Sequence, residues 1–365
     1  MLNNRAVSGM IVDWSDELSK LSYANQKPSL IGLLKSSPED FNVTEVMDIT
    51  PSGEGEHYWL DISKTQCNTE QVAKALAKFS NVSPRDIGYS GMKDFFAQTR
   101  QWFSVWKPKG GQPAWQEFKA EGVIINQVVK HSRKIKRGTH RANKFSIVIR
   151  DIRGDLTELE QRLNNVKRDG VPNYFGAQRF GRNADNMRQA VDFFSGDKKI
   201  KNRNLKGILL SSARSWLFNQ VVSARVSQGS WQQLQKHEPA NLHATNSVFQ
   251  TSGDSEETHR LTEFDIHPTA PMWGSGMDEI MMACPELVEW EQSLMSPYKV
   301  LQDGLEHARL DYQRRALRSV VKDMDWSIAP KLDRAGLMNN CLILSFELIR
   351  GQFATSVLRE LVNVE

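Results

Sequence analysis

Apolar and polar residues alternate over Asp40–Val46 and again over His57–Ser63, which predicts two β-strands joined by the turn-rich segment Pro51–Gly55. The period then changes. Val72, Ala75, Leu76 and Phe79 recur at helical spacing, with Asn68 placed to cap and Gln71 three residues on to reciprocate. Pro84 follows the end of that helix. Further on, Thr99, Gln101, Phe103 and Val105 alternate against Arg100, Trp102 and Ser104, a strand entered from a loop. After a Gly110-Gly111 linker, Gly122–Ile125 and Phe145–Ile149 read as strands and Leu156–Val166 as a helix ending near Gly170. From there to about residue 326, helical stretches with basic faces take over, most clearly Ala213–Arg225 and Leu305–Lys322. Leu342–Leu348 returns to strand character, enters a glycine turn at Gly351 and closes with a helix, Ala354–Val362. The first 27 residues are polar and weakly patterned, a leader that packs late or stays mobile. The pattern is that of an α+β region, a mostly helical middle and a tail that resumes the first region.

At 365 residues the chain has room for about two domains. No apolar run reaches the roughly 18 residues that a membrane span needs, and the N-terminus lacks the apolar core of a secretory signal. Cys67, Cys284 and Cys341 are far apart and odd in number, which argues against a disulfide framework or a zinc cage. A cytoplasmic protein is expected. The net charge of +4 says little, but its distribution says more. Between Gly122 and Arg150 there is no acidic residue, while Lys130, Arg133, Lys134, Lys136, Arg137, Arg141, Lys144 and Arg150 all fall there. A second basic cluster follows at Lys198, Lys199, Lys201, Arg203 and Lys206. Such blocks are ordinarily solvated faces; two of them in a nearly neutral chain favour a polyanion-binding surface.

The segment Gly88-Tyr89-Ser90-Gly91-Met92-Lys93-Asp94 sets a lone carboxylate, Asp94, in a glycine-flexed loop just before a strand. By itself such an Asp is ordinarily a turn former. Asn173–Arg182 packs aromatics, glycines and arginines together, which suits either base stacking or a well-packed turn. Asn143, in a loop ahead of a strand, carries an amide that matches a base edge, and Phe353 lies just past Gly351, where a ring could project into a pocket. Phosphate-cradling loops, dinucleotide fingerprints and nucleophile elbows are missing from the sequence. Asp265-Ile266-His267-Pro268 reads as a structural turn rather than a metal site.

Together these segments resemble the TruD family of tRNA pseudouridine synthases. The resemblance rests on Gly88–Asp94, Arg137–Phe145, Pro172–Gly181, Ala213–Asn219, His267–Gly274 and Arg350–Leu361, in that order along the chain. It implies an α+β fold, with a pseudouridine synthase catalytic domain (28–169 and 327–365) built on a mixed or antiparallel sheet with flanking helices. A mostly helical α+β insertion domain (170–326) interrupts it, and residues 1–27 form a leader. It also implies isomerisation of uridine 13 in the D arm of tRNA by a monomer that needs no metal or organic cofactor and no membrane. Asp94 becomes the catalytic residue, with Phe41, Asn143 and Phe353 at the target nucleotide. Phe95 and Phe96 follow Asp94 where the family pattern leads one to expect polar residues, often basic or His.

Breaking a C–N glycosidic bond calls for a carboxylate at the sugar, either as nucleophile at the anomeric carbon or as base at its neighbour. Asp94 then has to be ionised in a water-poor pocket beside a cation, which could be Lys93 or a distant Arg. The paired uridine has to be extruded, at a cost of a few kcal/mol. The rival reading is an RNA-binding or RNA-remodelling protein on the same fold, without catalysis.

Overall fold

The computed structural model describes residues 12–276, 284–332 and 338–364. The chain divides into two compact units, one comprising 29–167, 321–354 and 361–365, the other 1–28, 168–320 and 355–360.

The first of these holds a ten-stranded sheet of β1 (Ile31–Leu34), β2 (Phe41–Val46), β3 (His57–Thr65), β4 (Ile87–Tyr89), β5 (Gln98–Trp106), β6 (Val123–His131), β7 (Ala142–Arg153), β8 (Lys322–Leu332), β9 (Met338–Ile349) and β10 (Asn363–Val364). The order β8-β9-β7-β2-β5-β3-β6 is antiparallel except at β2–β5, which run parallel with Asn42 opposite Gln98 and Thr44 opposite Arg100. β1 joins β7 on one edge and pairs with β10 in parallel, while β4 adds to β5. The sheet is therefore mixed, as the resemblance implies. Sequence alternation places Thr99, Gln101, Phe103 and Val105 inward on β5, and all four are buried. The Thr69–Ser80 helix carries the expected capping box between Asn68 and Gln71. Its Val72, Ala73, Leu76 and Ala77 pack with Tyr58, Leu60, Ile62, Phe103 and Val105 as one core.

Two expectations about this unit change. Strands β6 and β7 reach well past Gly122–Ile125 and Phe145–Ile149, so much of the basic block is sheet rather than loop. Asn143 in consequence lies inside β7, paired with Glu45 on β2 and Leu348 on β9.

The other unit is organised on a long helix, Arg203–Ser227, whose Trp216, Leu217, Phe218, Val221 and Val222 are fully buried. It also contains a four-stranded antiparallel sheet with the strand order Val248–Gln250, Pro239–Leu242, Ile266–Met272, Gln313–Ala316. The expected helix over Leu305–Lys322 does not form. The helix stops at His307, and strands Gln313–Ala316 and Arg318–Ser319 follow. Arginines at 314 and 318 mimic a solvated helical face, but in the structure they are interior: Arg314 pairs with buried Glu291 at 2.7 Å, and Arg318 donates to the His267 ring at 3.2 Å. His267 is thus a structural residue, touching His243 Nδ1 at 2.8 Å. Tyr174, Phe175 and Phe180 are buried too, with Asn219 bonding both the N–H and the C=O of Phe175 at 2.9 Å. The segment 173–182 is accordingly a packed turn and not a stacking platform. From Val12 onward the leader is ordered structure: Asp13 caps the Trp14–Ser19 helix, and Trp14 meets Trp216 edge-on at 4.9 Å. Residues 1–11 of the leader lie outside the described residues.

Candidate active site

Asp94 sits in the loop that joins β4 to β5. Several buried groups hold the main chain of that loop. Thr69 Oγ1, at the start of its helix, accepts from the Lys93 N–H at 3.0 Å and donates to Gln101 Oε1 at 3.0 Å. Gln101 in turn donates from Nε2 to the Gly91 carbonyl at 3.1 Å. Lys64 is buried on β3, and its ammonium donates to the Cys67 carbonyl at 2.6 Å and the Asp94 carbonyl at 3.2 Å. That burial pulls Lys64 down to about 8. Gly88 serves close approach rather than a bend, since a Cβ there would lie 2.3 Å from the Ile135 carbonyl oxygen.

Side chains on the pinned loop point two ways. Lys93 turns inward, where its ammonium reaches Asn143 Oδ1 at 2.6 Å and Glu45 Oε1 at 3.3 Å. Its side chain is 6% exposed and that of Glu45 is 0% exposed. Burial pushes the Glu45 carboxyl up and the Lys93 ammonium down, and each charge opposes that drift in the other. Glu45 Oε2 also accepts from the Trp102 N–H at 3.2 Å. His140 completes the cluster. Its Nδ1 faces Ser90 Oγ, its Nε2 lies 3.4 Å from Asn143 Nδ2, and burial with Lys93 and Arg350 nearby takes it down to about 4.

Asp94 turns outward. Its carboxylate is 46% exposed and receives a hydrogen bond from Lys35 Nζ at 2.9 Å. The same ammonium lies 4.3 Å over the buried Phe41 ring. Lys35 adopts a left-handed φ of 55°, a conformation a lysine rarely takes and one found disproportionately at functional sites. The cation beside Asp94 is therefore neither Lys93 nor an arginine but a lysine 59 positions away. The expected water-poor pocket is not formed by the protein alone.

Of the four site residues expected from sequence, Asp94, Phe41 and Asn143 are linked through Lys35 and Lys93. Phe353 is half-buried and reaches the same end of the sheet by chain path: Ile349 pairs with Ala142, and the Arg350 N–H donates to the Arg141 carbonyl at 3.0 Å. Within the basic block, Lys130, Arg133, Lys136, Arg137 and Lys144 are exposed. Arg150 is engaged by Asp40, and Arg141 by Asp48 and Glu347. All five cations of the 198–206 cluster are exposed.

The family model described as tRNA pseudouridine synthase D (TruD) matches residues 17–191 and 186–361. The chain belongs to the TruD family. It is an enzyme, a pseudouridine synthase of the isomerase class. It is 39% identical to the tRNA pseudouridine synthase D of Nitrosococcus oceani over 94% of both chains. It is 40% identical to that of Pseudomonas entomophila over 91% of both. A solved structure described as the putative tRNA pseudouridine synthase D of Methanosarcina mazei superposes with a TM-score of 0.69 over 97% of this chain and 98% of that one. At 16% identity this shows the shared fold. The family match begins at residue 17, well inside the stretch read from sequence as a separate leader. Among the described residues, no helix of this TruD-family protein is long and apolar enough to cross a membrane. Sequence reasoning missed Lys35, Glu45, Lys64 and His140 at the site. Lys35 and Glu45 flank Phe41 within ten residues, but nothing in that local pattern marks either as a partner of the Asp94 loop.

Proposed function

We propose that this protein converts uridine 13 in the D arm of tRNA to pseudouridine, with Asp94 as the catalytic residue. The single observation that carries the reading is the half-exposed Asp94 carboxylate on a loop pinned by buried bonds, with the Lys35 ammonium at 2.9 Å. A carboxylate oxygen that faces outward, with a lysine ammonium beside it, suits attack at the anomeric carbon or removal of the neighbouring proton. In either route uracil leaves its ribose, turns, and rejoins through carbon, and the loss of the carbon-bound proton completes the exchange.

The uridine is extruded from its stem at a cost of a few kcal/mol. Phe353 stacks on the extruded base, the buried Phe41 ring backs Lys35 at the target nucleotide, and Asn143 reads the base edge. Asn143 Oδ1 is held by Lys93 and its Nδ2 lies 3.4 Å from His140 Nε2, so the second amide hydrogen is the donor left for the base. Because Asp94 is open in the free protein, the bound RNA itself excludes water from the carboxylate. The exposed lysines and arginines of the basic clusters take the phosphates. In this reading residues 28–169 and 327–365 form the catalytic domain and 170–326 the insertion. The protein acts as a cytoplasmic monomer without a cofactor.

Asp94→Asn is expected to abolish isomerisation while tRNA affinity stays within a few-fold of wild type. Tritium release from 5-labelled uridine in transcribed tRNA reads the reaction. Retained turnover in Asp94→Asn would remove the catalytic assignment, and release from a D arm lacking uridine 13 would remove the position.

A further inference from the structure

Nine large hydrophobic side chains are markedly exposed among the described residues, and three of them lie within two positions of one carboxylate, Asp94. Met92 is 53% exposed, Phe95 48% and Phe96 38%. The others, such as Ile49, Trp106 and Ile208, are scattered, as isolated surface apolar residues ordinarily are. Those three are not loose loop residues that failed to pack. Lys93 between them is driven inward and Ala97 after them is fully buried. The main chain is fixed at Gly91 by Gln101, at Lys93 by Thr69 and at Asp94 by Lys64. The fold therefore spends buried hydrogen bonds on a loop that presents apolar side chains to water on both sides of Asp94.

The geometry points to an apolar wedge: Phe95 and Phe96, with Met92 on the other side of Asp94, occupy the gap that the extruded nucleotide leaves in the stem and cover the bases bordering it. This rests on the reading that Asp94 meets the sugar of a flipped uridine. Consecutive Cα atoms are about 3.8 Å apart, so each of the three side chains starts within about 8 Å of Asp94 along the chain. Stacked bases follow one another at about 3.4 Å along a strand. A carboxylate placed at the target sugar thus brings its neighbours to the adjoining nucleotides. Extrusion unstacks two base faces and leaves them against water, and an aromatic ring is the side chain that best replaces the lost contact. Every base has an apolar face, so such a wedge opens the stem without reading its sequence. Lys35 at Asp94 supplies the charge for the backbone beside it. A second copy of this chain is a poorer occupant, since three side chains around an ion pair make too small an apolar patch for a stable dimer.

The test compares full-length wild type, Phe95→Ala/Phe96→Ala and Phe95→Tyr/Phe96→Tyr in single-turnover tritium release. One RNA is the transcribed tRNA with the target paired. The other is the same tRNA with abasic sites opposite the target and on either side of it, so that the uridine is already unpaired and no base face borders the gap. The alanine double variant is expected to be about ten- to hundredfold slower on the paired RNA, the range that loss of base–aromatic stacking gives, and within threefold of wild type on the unpaired one. The tyrosine variant should stay within threefold of wild type on both. Equal loss on both RNAs, or no loss on either, overturns the wedge while leaving the assigned reaction intact. A change of sedimentation state in place of a rate change also overturns it and favours self-association. Wild-type protein inert on both RNAs overturns the assigned reaction, and the wedge with it.

Discussion

Glu45→Gln tests whether the buried pair behind the catalytic loop holds Asp94 in place. Glu45 and Lys93 form an ion pair at 3.3 Å with side chains almost wholly out of water. Removing one partner of such a pair costs about 3–5 kcal/mol, because the remaining charge stays buried. Two details set the expectation at the lower end. Lys93 keeps Asn143 Oδ1 as an acceptor at 2.6 Å, and a glutamine carbonyl can still accept from the Trp102 N–H or from the ammonium, although the carboxylate meets the two with different oxygens and the amide has only one. A loss of about 3 kcal/mol corresponds to a fall in Tm of about 6–12 °C for a unit of 150–250 residues. Lys93 directly precedes Asp94, so the same substitution should slow tritium release at least about tenfold as the loop loses its anchor. Glu45→Gln/Lys93→Met separates the two effects. Removing both charges should return stability to within about 1–2 kcal/mol of wild type, while activity stays low. Scanning calorimetry with single-turnover assays on the two singles and the double closes the cycle. A Glu45→Gln melting point within 2 °C of wild type (roughly the effect of 1 kcal/mol or less), or full activity in the double variant, would refute the anchoring argument.

Phe353→Ala should impair placement of the uridine, and an unchanged single-turnover rate would exclude stacking by that ring. Affinity for tRNA should fall linearly in log–log form as salt rises, with Lys130→Ala and Lys144→Ala each reducing the slope by about one. A flat response between low and moderate salt counts against the basic surface. His140 is held down at about 4 against 6.5 in the unfolded chain, so the folded state binds fewer protons between those values. Its contribution is thus intact above pH 6.5 and is lost as the pH falls towards 4, by about 2 kcal/mol at pH 5. Urea unfolding of wild type and His140→Asn at pH 7 and 5 reads this difference, and equal pH slopes in the two proteins would contradict it.

Much of the fold was legible because strand alternation and helix capping are local. The inward face of β5 and the Asn68–Gln71 capping box follow from residues at most a few positions apart. The Leu305–Lys322 segment misled for the same reason: locally its arginines read as solvent-facing, and only partners from elsewhere in the chain, Glu291 and Thr269 for Arg314, His267 and the Leu261 and Ile266 carbonyls for Arg318, let them go inside. Asp94 could be singled out by its loop and its family motif, as could Phe41, Asn143 and Phe353. Which cation serves Asp94 could not.

The sequence by itself determined the alternating strands, the capped helix and the family, since each is written in neighbouring residues. Only the tertiary structure decided that Lys35 faces Asp94, that Lys93 turns in to Glu45 and Asn143, and that Phe95 and Phe96 stay outside. Those choices depend on how β2, β5 and β7 register against one another across more than fifty residues of chain, and on where burial makes an unpaired charge too costly to keep.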